Sequence, residues 1–124
     1  MPYIIIEGSK LDSVKGEALA SQLTDEVASL FNTPKSTVLA VVHGGEELVV
    51  LAAGQKRRVT LDITVEGAGV GESAIPQVVQ RLTDAAVKAT GRPAEEVMVL
   101  VKIPGGPHMK MTDKCAGIGG RLLG

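Results

Sequence analysis

Residues 2–8 read Pro2-Tyr3-Ile4-Ile5-Ile6-Glu7-Gly8, and residues 61–67 read Leu61-Asp62-Ile63-Thr64-Val65-Glu66-Gly67. Both are β-branched runs closed by the same Glu-Gly pair, and Glu66 stands 59 positions after Glu7. The offset persists downstream. Leu23-Thr24-Asp25 returns as Leu82-Thr83-Asp84, Pro34 as Pro93 and Val38 as Val97. A register held without gaps through all these pairs marks an internal duplication, and a duplicated supersecondary unit dictates the architecture.

Each copy reads alike. A short strand, Tyr3 to Ile6 or Val59 to Val65, precedes a helix, roughly 12–31 or 73–90. In the first helix Val14, Ala18, Leu19, Leu23, Val27 and Leu30 recur at three- and four-residue spacings, as a buried stripe requires. Ile75, Val78, Val79, Leu82, Ala86 and Val87 do the same in the second. Pro34 and Pro93 stop the helices, because proline restricts the residue before it. A second strand follows, 37–42 or 97–103. Strand, helix and strand with a crossover of this length form a βαβ unit with parallel strands.

The expected fold is therefore α/β: one domain of two βαβ units, 1–56 and 57–124, related by a pseudo-twofold. It has a four-stranded sheet with two helices on one face, and residues 44–56 form a short hairpin through Leu48 to Leu51. Consecutive apolar residues such as Ile4, Ile5 and Ile6 suit strands buried on both faces. Two helices cover only one face, so a second copy of the chain is expected on the other.

Composition narrows the classes further. The chain has 124 residues and a net charge of −1, which offers no electrostatic footprint for nucleic acid or an acidic membrane surface. Tyr3 and Phe31 are its only aromatic residues, so the core is aliphatic. One cysteine, Cys115, excludes an internal disulfide and suits a cytoplasmic protein. No apolar run has the length of a membrane span, and no basic stretch precedes Glu7 as in a signal peptide.

Pro2 raises a choice between a strand starter and a reactive group. Proline is tolerated at the first position of an edge strand. If Met1 is removed, however, Pro2 carries a free secondary amine on a rigid ring. An α-amino group titrates at about 8, and an apolar setting lowers that value by disfavouring the charged form. Such a base suits proton transfer beside a carbonyl. The second copy has Leu61 at the matching position, so one such site per chain is the ceiling.

With Met1-Pro2, Glu7-Gly8, Lys15, Thr33-Pro34 and the tail Gly117-Ile118-Gly119-Gly120, the chain resembles the tautomerase superfamily, the group of 4-oxalocrotonate tautomerase, over essentially its whole length. The resemblance is to the fused members, two βαβ units in one chain. It implies a cofactor-independent tautomerase or isomerase, with Pro2 as general base moving a proton on an enol or unsaturated 2-oxo acid, and assembly as a homotrimer. The departures lie in the anion-binding positions. Ser9 and then Lys10 stand where the family commonly has arginine after Glu-Gly, Leu39 and Met98 where it has a second, and Ala116 replaces an aromatic.

Lys10, Arg57 and Arg58 are the candidate carboxylate binders, each otherwise readable as a solvated surface charge. Lysine supplies a point charge and lacks arginine's bidentate fork. Two other readings stay open. One is a hydratase, dehalogenase or decarboxylase using protonated Pro2 as acid, with Glu7 or Glu46 to activate water. The other is a non-catalytic oligomeric binding protein. His43 and His108 lack further ligands at metal-binding spacing. Lys114 and Arg121 read as surface charges, Pro104 to Pro107 as a connecting loop, and the glycine tail as a tight hairpin.

Overall fold

The computed structural model describes residues 2–103 and 109–111. Strand β1 (Tyr3–Gly8) leads through helix α1 (Ser13–Leu30) to β2 (Leu39–His43). A two-stranded antiparallel ribbon, β3 (Val50–Ala52) and β4 (Gln55–Arg57), connects this unit to the next. The second unit is β5 (Leu61–Glu66), α2 (Ile75–Thr90) and β6 (Val97–Lys102), and β7 (Met109–Met111) follows.

Local chemistry sets the helix ends. The Asp12 carboxylate accepts the Lys15 N–H at 2.8 Å and so caps a free donor at the start of α1. At the far end Asn32 takes φ 51°, the left-handed conformation that asparagine tolerates. Its counterpart 59 positions on, Gly91, takes φ 72° and closes α2. The buried stripe of α1 is narrower than its spacing suggests. Leu19, Leu23 and Val27 are buried, whereas Ala18 is exposed and Val14 is 77% exposed. Both lie around the helix from the line that Leu19, Leu23 and Val27 define.

The main sheet has the order β2-β1-β5-β6-β7. β1 and β2 are parallel, β5 and β6 are parallel, and the two units join where β1 pairs antiparallel with β5. Ile5 lies opposite Thr64, its own counterpart in the repeat, so the pseudo-twofold passes between them. Tyr3 opposite Glu66 and Glu7 opposite Asp62 are then equivalent pairs. The expected four strands gain a fifth, β7, antiparallel to β6. The Pro104–Pro107 loop, His108, Lys114, Cys115, Ala116, Arg121 and the glycine tail lie outside the described residues.

Both helices pack on one face of the sheet and against each other. Ile4, Ile6, Leu61, Ile63, Val65, Val97 and Val99 fill the core beneath them. Burial alternates along β5 and β6, so within one chain these strands are fully buried on the helix side alone, and Ile5 and Leu100 are half-buried on the other. Strand register lays two rows of four residues across the ends of this open face. One row is Leu39, Tyr3, Glu66 and Lys102; the other is His43, Glu7, Asp62 and Met98. The β3–β4 ribbon closes part of the second end, where Ala52 and Val59 are buried beside Leu48, Val50 and Met98.

Candidate functional site

Pro2 is buried immediately before β1, where the start of β2, the C-terminus of α1 and the turn after β5 converge. Its carbonyl accepts the Leu39 N–H at 3.1 Å. Phe31, 3% exposed, ends α1 beside it. Gly67 is required by close approach: a Cβ there would stand 2.9 Å from Phe31 Cε2 and 3.3 Å from Pro2 Cα. The Gly67 N–H donates to the Lys102 carbonyl at 3.2 Å, so the last residue of β6 is tied to the same corner.

The matching corner of the second unit is filled differently. A Cβ on Gly8, the counterpart of Gly67, would stand 3.2 Å from Leu61 Cδ1, and Leu61 is fully buried. The Ser9 N–H donates to the Thr60 carbonyl at 2.9 Å. The Arg92 guanidinium donates to both carbonyls that border this corner, Nη1 to Thr60 at 2.7 Å and Nη2 to Ser9 at 2.6 Å. Arg92 thus staples the two chain segments together where the first unit has Thr33.

Lys10, Arg57 and Arg58 all belong to this second corner. Lys10 follows Ser9, is exposed, and has φ 52°. Arg57 ends β4, half-buried, with its Nε enclosed and without a hydrogen-bond partner among the described residues; Arg58 is exposed. β1 separates Pro2 from Lys10, which at about 3.3 Å per residue places them roughly 20 Å apart along the strand. One chain therefore brings the three cations to one end of the sheet and Pro2 to the other.

The second end also carries most of the unusual electrostatics. Asp62 stands opposite Glu7 in the antiparallel pair. Burial first, and the Glu7 charge second, push its carboxyl up from 3.8 to about 6. A cleft of about 220 Å³ opens beside Glu7 and His43, with Glu46 and Glu47 on its wall. The two carboxylates considered for activating water, Glu7 and Glu46, thus share one cleft, and it lies at the far end of β1 from Pro2. Among the described residues no group of three His, Cys, Asp or Glu side chains is placed to hold a metal ion, and no helix is long and apolar enough to cross a membrane.

Lys102 and Phe31 were not picked out by reading the sequence. The repeat carried the signal for Lys102: it is the counterpart of His43, which ends β2 beside Glu7, so it had to end β6 beside Glu66. Phe31 at the Pro2 corner had no such signal, because its counterpart Thr90 is a different kind of residue.

No protein-family model matches the chain, and no curated protein matches it in sequence. Solved structures do. Pt0534, a protein inactivated by 2-oxo-3-pentynoate, superposes with a TM-score of 0.70 at 24% identity, covering 98% of this chain and 99% of its own. A fused 4-OT in a symmetric trimer gives 0.67 at 17% identity, with 98% of both chains covered. N1, a member of the cis-3-chloroacrylic acid dehalogenase family, gives 0.67 at 15% identity over 85% of this chain and 76% of its own. The described residues share the tautomerase-like fold of these proteins.

Proposed function

We propose that this protein is a cofactor-independent tautomerase or isomerase in which Met1 is removed and the Pro2 amine moves a proton on an enol or unsaturated 2-oxo acid. The observation that carries the reading is the seat of Pro2. A buried proline starts the central strand against Phe31 and Gly67, while the equivalent seat in the other unit holds a buried leucine stapled over by Arg92. Strand geometry does not require proline there, since β5 forms with Leu61.

The chemistry asks little of the rest of the site. A neutral secondary amine takes the proton from the enol oxygen or the carbon beside the carbonyl, and the resulting ammonium returns it elsewhere on the conjugated system. Apolar walls from Phe31 and β1 favour the neutral amine. Because Lys10, Arg57 and Arg58 stand at the other end of their own sheet, they serve Pro2 only from a neighbouring copy. The reading therefore includes a homotrimer, the assembly of the fused 4-OT of the same fold, with the site formed between chains.

Pt0534 supplies a probe. A free Pro2 amine adds to the alkyne carbon of 2-oxo-3-pentynoate conjugated with the ketone; a C–N bond forms and the amine proton passes to the adjacent carbon. The expected result is gain of one probe mass on a peptide beginning at Pro2, with parallel loss of phenylenolpyruvate ketonisation. Pro2→Ala removes both. An intact Met1 on the purified protein, or equal ketonisation by wild type and Pro2→Ala, overturns the reading.

A second reading has its own observation. Glu7 and Glu46 share a cleft, and a dehalogenase-family protein has this fold. Apposed with Pro2 of a neighbouring copy, these carboxylates would activate water for hydration. Chloride release from 3-chloroacrylate, lost in Glu7→Gln and in Pro2→Ala, distinguishes it from simple proton transfer.

A further inference from the structure

We propose that Lys102 binds the carboxylate of a 2-oxo acid substrate at the Pro2 site. The inference rests on the Pro2 reading above and gives that site a cation from the same chain.

Topology limits the candidates. β1 and β2 start at the Pro2 end of the sheet, whereas β5 and β6 finish there. Lys10, Arg57, Arg58 and Arg92 lie at the opposite end, as argued above. Arg81, midway along α2, is paired with Glu26 at 2.6 Å. Among cations whose side chains are described, two remain near Pro2. Lys35 precedes β2 and is held by Asp25 at 2.9 Å. Lys102 ends β6, is exposed, and makes no ion pair among the described residues.

Distance favours Lys102 as well. Its carbonyl takes the Gly67 N–H, and Gly67 lies so close to Pro2 that a Cβ on it would stand 3.3 Å from Pro2 Cα. Two strand spacings separate the Lys102 and Tyr3 backbones, about 10 Å. A four-carbon stem spans much of that gap, and a 2-oxo acid with its carboxylate on the ammonium presents its α-carbon and carbonyl toward Pro2. Tyr3 and Glu66 complete the row. The Glu66 carboxylate beside Lys102 disfavours a second anionic group on the substrate, since like charges at adjacent cross-strand positions repel.

The test pairs 2-oxo-3-pentynoate with 3-pentyn-2-one, the same alkynone with methyl in place of carboxylate. Rates of Pro2 labelling are measured for wild type, Lys102→Met and Lys102→Arg. Wild type is expected to prefer the carboxylate probe. Lys102→Met slows that probe about tenfold, the effect of a lost charge contact worth one decade of affinity, and leaves the neutral probe unchanged. Lys102→Arg restores the preference. An unchanged ratio of the two rates in Lys102→Met overturns the proposal, as does an equal slowing of both probes, which marks a structural role.

Failure of the Pro2 reading shows itself separately, as no labelling of wild type by either probe. Lys102 is then judged by reversible binding of phenylpyruvate in calorimetry. Several-fold weaker binding by Lys102→Met supports it, and equal binding by wild type and variant overturns it.

Discussion

Asp62→Asn should make the protein more stable at neutral pH and leave it unchanged in acid. Asp62 faces Glu7 across β1 and β5 on the open side of the sheet, next to the part closed by the ribbon. Its carboxyl titrates at about 6 in the folded chain against 3.8 when free. The folded state thus holds the proton more tightly than the unfolded state, and stability falls as pH rises where that is so. The loss begins near pH 4, is complete just above pH 6, and stays constant beyond. The shift of roughly two units sets an upper bound of about 3 kcal/mol. Asp62 still meets water, and screening there reduces this to about 1–2 kcal/mol.

Asparagine keeps the shape and discards the charge, so at pH 7.5 the variant should gain that 1–2 kcal/mol, or about 4–8 °C in Tm for a chain of this size. The difference between variant and wild type should vanish below pH 4. Thermal unfolding followed by circular dichroism from pH 4 to 8, at one fixed protein concentration, measures it. Glu7→Gln should give a smaller gain with the same pH dependence, because Glu7 is the lesser cause. A difference independent of pH, or a variant less stable than wild type at pH 7.5, refutes the reasoning.

Arg92→Ala removes two charge-assisted hydrogen bonds to the Ser9 and Thr60 carbonyls and should cost about 2–4 kcal/mol in denaturant unfolding; Arg92→Lys, lacking the fork, should recover less than half. The interchain site has a complementation test. Pro2→Ala chains and chains carrying Lys10→Ala, Arg57→Ala and Arg58→Ala together should each be inactive alone, yet regain ketonisation when co-expressed. No recovery in a verified mixed assembly places the site within one chain.

The two units and their pairing were legible in the sequence because the duplication is written residue against residue. Glu-Gly at 7 and 66, the LTD triplets and the prolines marked equivalent points of one unit. The observed register, with Ile5 opposite Thr64, places the pseudo-twofold on a pair of repeat counterparts. Pattern failed where one element meets its environment. Val14 has the spacing of a core residue and is mostly exposed, because spacing does not say which side of the helix the sheet will occupy. β7 went unread because three residues after a Gly- and Pro-rich stretch of sequence carry too little periodicity to mark a strand.

By itself the sequence determined the βαβ repeat, the aliphatic core and the asymmetry between Pro2 and Leu61, all of which follow from local residue types at a fixed offset. Which charges stand near Pro2 was decided only by the tertiary structure. Lys10, a few positions along the chain, is carried roughly 20 Å away by an extended strand, whereas Lys102 is brought back to the Pro2 corner. The antiparallel joining of the two units does this by bringing the end of β6 to the same end of the sheet as the start of β1, with only β5 between them, and proximity across a sheet depends on strand order and direction, which residue spacing along the chain does not encode.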